Sequence, residues 1–384
     1  MGDCHPVALA VILWFDWYCC IALMSFPRKR ESSFLNKLYK NLVYNFLCFY
    51  HFFLDSRFCG NDICSYNIGS SALGDKRVKI TVKRIAGLNM LILPIVKGEY
   101  KKDYNLKHLT WFKVGGNAEI FFKPLDSEDL KSFLIQNKQK LPIKTFGAGS
   151  NIIIRDGGIE GVVIKLGQNF SNIEFIDNHL IVGSSCLNYN LAKFCQANAI
   201  SGFEFLVGIP GTIGGGVAMN AGAYGSEFKD IVVQIEAIDF AGNFLTFTNE
   251  EIGFKYRSNN LPKNLIILKV IFKINKGDSE NILLRMNEIN NARSSTQPIK
   301  ERTGGSTFAN PEGCKSWELI DKAGLRGYRI GGASMSELHC NFMINNGDAT
   351  AKDLEDLGNF VQQKVCEDSG VKLEWEIKRI GRHP

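Results

Sequence analysis

Paired metal-ligand spacings are missing from this 384-residue chain. Its 11 cysteines include no CxxC, and its six histidines do not fall at zinc-finger spacings from them, which argues against a structural zinc. Six cysteines lie in residues 1–89, and the other five (Cys186, Cys195, Cys314, Cys340 and Cys366) are scattered and odd in number. That pattern reads as reduced packing thiols in a reducing compartment, not as a disulfide framework. A surplus of one charge sign is also missing from most of the chain. Residues 1–89 carry 11 Lys+Arg against 6 Asp+Glu, leaving 34 against 33 for residues 90–384. So balanced a body has no electrostatic footprint for nucleic acid. GxGxxG opening a helix, a Walker GK[ST] loop and the GxSxG nucleophile elbow are all lacking, as are internal repeats.

The first 89 residues differ in character from the rest. Residues 7–26 are almost wholly apolar and are followed by Pro27-Arg28-Lys29-Arg30. Their length approaches the ~20 residues of a spanning helix. Asp16 at the centre opposes insertion by about 2.5–3.5 kcal/mol. No basic segment precedes the run and no small-residue cleavage site follows, so a secretory signal fits poorly. A second aromatic-rich patch spans 41–54, and Met90 stands where the composition changes. We read 1–89 as an upstream extension, from a misassigned start or an inserted repeat. A membrane anchor and a separate folded domain are the alternatives.

From Met90 onward, short strands alternate with amphipathic helices. AEIFFKP (118–124), GVVIKL (161–166) and HLIVGSS (179–185) read as strands, and IKTFGAGSNIIIR as strand, turn, strand. Ser127 is a candidate N-cap for a helix with Leu130, Phe133 and Leu134 on one face. Leu187, Leu191, Phe194 and Cys195 share another helical face. Residues 231–274 are mostly β around the turn Ala241-Gly242-Asn243, and a polar helix follows over about 278–294. Later helices carry Trp317 and Ile320, then Leu354, Leu357, Val361 and Val365. KLEWEIKRI reads as a final strand. Mixed strands with scattered helices indicate α+β, with a boundary near 275.

Five motifs concentrate chemistry. Gly147-Ala148-Gly149-Ser150-Asn151 lies between two strands, where small residues allow close backbone approach and an N–H nest for an anion. A tight β-turn with no ligand explains it equally well. The second is the glycine-dense run from Gly208 to Gly216, with Gly211, Thr212, Gly214, Gly215 and Gly216, extending to Gly225. So many glycines favour a planar or phosphorylated ligand over a plain turn. Arg257 in FKYRS can hold a carboxylate or oxyanion, although an Arg beside a Tyr is more often a surface pair. Ser306 in GGSTFANP is a hydroxyl in a glycine turn, an arrangement that is structural in most proteins. Glu374 and Glu376 share one face if LEWEI is a strand, and solvent exposure is their ordinary reading.

Together and in order, TWFKVGGNAEIF, GAGSNIII, GIPGTIGGGVAMNAGAYG, FKYRS, GGSTFANP, GYRIGGASMSELHCNFMIN and VKLEWEIKRIG resemble the UDP-N-acetylenolpyruvoylglucosamine reductase (UDP-N-acetylmuramate dehydrogenase) family. The resemblance covers essentially all of 90–384. It implies a two-part FAD-binding domain of the PCMH type (90–275, divided near 166) and a C-terminal α+β substrate-binding domain (276–384), whose last strand returns to the flavin. It further implies a cytoplasmic, monomeric enzyme with non-covalent FAD, NADPH as co-substrate and UDP-N-acetylenolpyruvoylglucosamine as substrate, with no nucleic-acid or membrane partner for the body. By resemblance, Arg257 stabilises the developing enolate, Ser306 protonates C2 and Glu376 (not Glu374) assists. Gly147, Ala148, Gly149, Ser150, Asn151, Gly211, Thr212 and Gly214–Gly216 then contact FAD. The flavin domain is shared with FAD oxidases of alcohols and sugars, which are the alternative. Ala309 departs from the longer basic residue common in the family, and the short stretch between Arg257 and Ser306 matches the subtype lacking an extra loop.

Overall fold

A computed structural model describes residues 63–68, 78–83 and 93–384 apart from Gln139. The chain divides into two compact units, Met1–Leu91 and Ile92–Pro384. In the first, Ile63–Ile68 pairs antiparallel with Val78–Lys83. The apolar stretch 7–26 and the aromatic patch 41–54 lie outside the described residues. Among the described residues, no helix is long and apolar enough to cross a membrane.

The second unit opens on a four-stranded sheet, ordered Glu99–Asn105, Asn117–Lys123, Ile159–Ile164, Ile143–Thr145. The first pair is antiparallel and the others are parallel. The helix Ser127–Gln136 buries Leu130, Phe133 and Leu134, as its spacing requires. Its cap is Asp126, one residue before the expected Ser127, because the Asp126 carboxylate accepts the Asp129 N–H at 2.8 Å.

A five-stranded antiparallel sheet follows, ordered Phe244–Thr248, Val232–Asp239, Leu265–Lys273, His179–Gly183, Ile173–Ile176. Asp239 fixes the first hairpin by accepting from the backbone N–H of Ala241 and Asn243. The helix Asn188–Ala197 buries Leu191 and Cys195 with Leu180, Val182, Ile235, Val270 and Phe272. The expected partner Leu187 is the N-cap and stays exposed. The helix Ser279–Thr296 presents Ile282, Met286 and Ile289 to this same core, the spacing of one helical face.

A third core gathers Ile320, Leu354, Leu357, Val361 and Val365 from the helices Ser316–Lys322 and Ala351–Ser369. Thr350 and Asp353 form a capping box at the start of the long helix, and Gly370 ends it in the left-handed region. The chain then returns to the first module, where Lys378–Ile380 runs parallel to Ile152–Ile154 in a separate two-stranded sheet. The expected single strand over KLEWEIKRI is two strands, Glu374–Trp375 and Lys378–Ile380. They are broken because the N–H groups of Glu376 and Ile377 donate to Thr307 O at 2.9 and 3.4 Å. Helices and mixed sheets around separate cores make the unit α+β.

Candidate active site

Residues 147–151 join Ile143–Thr145 to Ile152–Ile154, and Gly149 takes φ +68°, where a side chain would also overlap Leu109 O. Among the described residues, no hydrogen bond engages the backbone N–H groups of 147–151. The Gly147 carbonyl is instead held from behind by Lys165 Nζ at 2.6 Å. Burial and the neighbouring Lys123 cation lower the Lys165 pKa. A row of free N–H groups beside small residues is a concave anion site.

The second glycine run packs against this loop. Ser150 Oγ donates to Pro210 O at 2.9 Å, and a Cβ on Gly147 would overlap Thr212 Oγ1. Thr212 caps the short helix Ile213–Ala218 by accepting from Gly215 N–H. Gly216 lies against the Phe228 ring. The two runs line one cleft of about 460 Å³, with Gly147, Ala148, Gly149, Ser150, Asn151, Gly211, Thr212, Gly215 and Gly216 on its wall. Gly214 is the exception: it faces Ser184, donating its N–H to Ser184 O, and serves helix packing. The glycines therefore divide between bringing backbone together and leaving space for a ligand.

Arg257, Ser306 and Glu376 line this same cleft although they are far apart in sequence. Tyr256 and Arg257 form the tip of a turn closed by Lys255 and Ser258, with Arg257 at φ +53°. The guanidinium donates Nη2 to Gly222 O at 3.1 Å and lies over the Tyr256 ring. Its Nε is 3.2 Å from Glu376 Oε1, an ion pair, yet the Nε–H is not directed at any acceptor. The Glu376 side chain retains 14% exposure, while Glu374 is exposed. Burial raises the Glu376 pKa, and the Arg257 charge opposes this without cancelling it. Asn151 Nδ2 donates to Glu376 O at 3.3 Å, linking the glycine loop to the carboxyl segment. Ser306 follows the pair Gly304-Gly305, of which Gly304 packs on Phe112, and it bridges to Phe342.

The cleft also holds residues that the motif reading passed over. Arg293, at the end of the helix Ser279–Thr296, lines it, and burial lowers its pKa. Its sequence carries a signal: no acidic residue stands three or four positions away on its helix. Asn188 is buried there too, its Nδ2 donating to Ile209 O while Oδ1 has no protein partner. Lys378 and Trp111 also line it. Three cations, Arg257, Arg293 and Lys378, against the one carboxyl of Glu376 favour an anionic ligand, and the free N–H row favours phosphate. A phosphorylated planar cofactor fits these residues.

Residues 118–248 match the FAD binding domain model, and residues 297–380 match the model of the C-terminal domain of UDP-N-acetylenolpyruvoylglucosamine reductase. Over 295 residues the chain is 98% identical to the UDP-N-acetylenolpyruvoylglucosamine reductase of Rickettsia peacockii (strain Rustic), spanning 77% of this chain and 100% of the relative. The chain belongs to the UDP-N-acetylenolpyruvoylglucosamine reductase family. The reductase of Rickettsia prowazekii (strain Madrid E) is 87% identical over 294 residues, with 77% of this chain and 100% of that protein covered. The crystal structure of the reductase from Thermus caldophilus superposes with TM-score 0.65 at 34% identity, covering 75% of this chain and 100% of that one. This family member is an FAD-dependent oxidoreductase of α+β fold.

Proposed function

We propose that the protein reduces the enolpyruvyl ether of UDP-N-acetylenolpyruvoylglucosamine to UDP-N-acetylmuramate with NADPH, as a cytoplasmic monomer supplying peptidoglycan precursor. The observation that carries the reading is the Arg257–Glu376 pair at 3.2 Å in a cleft shared with Ser306 and the glycine loops. FAD, when bound, would supply a two-electron hydride relay between NADPH and C3 of the enolpyruvyl group. The free N–H groups of 147–151, with Gly211, Thr212, Gly215 and Gly216, would hold it; Gly214 is left out of this set.

The protein's own groups handle charge and proton. Hydride arrival at C3 moves the π electrons onto C2 and the adjacent carboxylate. Arg257 stabilises that charge, its undirected Nε–H being free for an incoming acceptor. Glu376, with its raised pKa, holds a proton more readily than an exposed carboxyl and hydrogen-bonds the same charge. Ser306 gives its hydroxyl proton to C2 and regains one from solvent. A serine is a weak acid, so this step depends on a strongly basic C2 and a donor held close.

We assign the enzyme to residues 90–384. The matched relative spans 295 residues, the number from Met90 to Pro384. The internal boundary belongs nearer 297 than 275, since the helix Ser279–Thr296 shares the core of the preceding module. The near-balanced charge of this stretch favours small-molecule partners, and the short loops between Arg257 and Ser306 support the loop-lacking subtype. Absorbance of the purified protein tests the central reading. A bound-flavin band should bleach with NADPH and return with the enolpyruvyl sugar nucleotide. Reoxidation by oxygen as fast as by the sugar nucleotide would favour the oxidase alternative, and absence of flavin would overturn both readings.

A further inference from the structure

The relation between Ser306 and Glu376 is set by a side chain that lines no part of the cleft. Ser306-Thr307-Phe308 crosses the site as a short segment that bends at Thr307. Along one edge, Thr307 O accepts from Glu376 N–H at 2.9 Å and Ile377 N–H at 3.4 Å, and Phe308 pairs with Trp375. Along the other edge runs Asn341. Its backbone O accepts from Thr307 N–H at 2.7 Å, its Oδ1 accepts from Phe308 N–H at 3.0 Å, and its Nδ2 donates to Phe308 O at 2.9 Å.

Asn341 is 3% exposed, and one carboxamide does the work of a neighbouring strand. The turn around it is closely braced. Ser336 N–H donates to Phe342 O, Ser336 Oγ accepts from Leu338 and His339 N–H, and Asn341 N–H donates to His339 Nδ1. Phe342, the next residue, bridges to Ser306 and lines the cleft. Few other side chains supply both a donor and an acceptor in the spacing of a peptide group. Aspartate of the same shape would set an oxygen against Phe308 O, and leucine would leave both Phe308 groups unpaired in a dry environment.

We propose that Asn341 is a positioning residue for the reduction of substrate. It holds Ser306 in register with Glu376 through Thr307 O. The proposal rests on the reading above, in which Ser306 protonates C2 and Glu376 assists. Asn341 touches neither the cofactor cleft nor the glycine loops, so its effect should fall on one half-reaction only.

The test uses flavin-loaded full-length protein carrying Asn341→Asp, Asn341→Leu, Ser306→Ala, or Ser306→Ala with Asn341→Asp. NADPH should bleach the flavin of both Asn341 variants within about threefold of the unaltered rate, while reoxidation by UDP-N-acetylenolpyruvoylglucosamine slows on the order of tenfold or more. In the Ser306→Ala background, Asn341→Asp should add less than about twofold, because a misplaced donor and a missing donor are one defect. If Ser306→Ala leaves reoxidation unchanged, the proton donor is elsewhere, and the catalytic reading falls with this proposal. If Ser306→Ala slows reoxidation but the Asn341 variants do not, only the positioning role falls. Equal losses in both half-reactions, or loss of bound flavin, show general structural support and also overturn it.

Discussion

Replacing Arg155 with methionine should cost the protein about 3 kcal/mol. Arg155 follows the strand Ile152–Ile154 and donates Nε to Glu355 Oε2 and Nη2 to Glu355 Oε1, both at 3.0 Å. Its third arm, Nη1, donates to Gly381 O at 3.2 Å, just beyond the C-terminal strand. Glu355 is 4% exposed, on the helix Ala351–Ser369. Removing one member of a buried pair costs about 3–5 kcal/mol, because the survivor is left charged and dry. Two features hold the value to the lower end. The Arg155 side chain is 26% exposed, and Arg379 Nε remains 3.8 Å from Glu355 Oε1. For a unit of roughly 290 residues, unfolding with about 2.1 cal/mol/K per residue, the loss corresponds to a Tm lower by about 5 °C.

The companion change decides whether stranded charge is the cause. Arg155→Met with Glu355→Leu removes both charges and should be more stable than Arg155→Met alone, although it alters more atoms. Denaturant melts of flavin-loaded protein can follow Trp375, whose ring lies under Arg379. A cost below about 1 kcal/mol for Arg155→Met, the level of an exposed pair, would refute the buried-latch argument. So would a double variant less stable than the single one.

Ser306→Ala should leave NADPH-driven bleaching of flavin nearly intact and slow reoxidation by the sugar nucleotide by about 10²–10⁴-fold, the usual contribution of a positioned general acid; stopped-flow absorbance separates the two. Glu376 has a folded-state pKa raised from 4.5, so the folded protein binds this proton more tightly than the unfolded chain. Its contribution to stability is full below 4.5 and is lost as pH rises through the raised value. Glu376→Gln should therefore flatten this part of the profile, its Tm falling less than the parent's as pH rises above 4.5; parallel profiles would contradict a burial-raised carboxyl. Gly215→Val projects into the cleft, where a Cβ meets only Thr212 Oγ1 at 3.3 Å, so flavin titration should show FAD affinity at least about tenfold weaker with little change in stability. Gly214→Ala should do the reverse, pressing on Ser184 at a cost of about 1–3 kcal/mol and leaving FAD affinity unchanged.

Regular elements were legible in the sequence wherever one periodicity ran unopposed. The β pattern of 232–248 and its Ala241-Gly242-Asn243 turn appear as a hairpin, and the face Leu354, Leu357, Val361, Val365 is buried as its spacing requires. Local physics failed where two candidates competed. Asp126 displaced Ser127 as the cap, and the alternating pattern of KLEWEIKRI concealed a break that only Thr307, almost 70 positions earlier, imposes. At the site, the order of the motifs singled out Arg257, Ser306 and Glu376, whereas each residue alone looked ordinary. Asn341 and Asn188 carried no local mark at all, since an asparagine that braces remote backbone is written like one that faces water.

The three catalytic candidates share a structural feature that explains why local patterns could not find them. Arg257 lies at a turn tip with positive φ, Ser306 follows a glycine pair, and Glu376 fills a gap between two strands. In one continuous strand Glu376 would face the same side as Glu374, which is exposed. The break turns Glu376 toward Arg257 and into the partly dry cleft, and that burial is what raises its pKa. Such departures from regular backbone cost about 1–3 kcal/mol where strained, and they persist because neighbouring groups over-determine them. Gly222 O holds the Arg257 guanidinium, Thr307 O takes both N–H groups at the break, Asn151 holds the Glu376 carbonyl, and Asn341 fixes the segment that bears Thr307. The candidate side chains can therefore be irregular because the hydrogen bonds around them are not left to chance. A change to Asn341 should disturb the substrate step before it disturbs the fold.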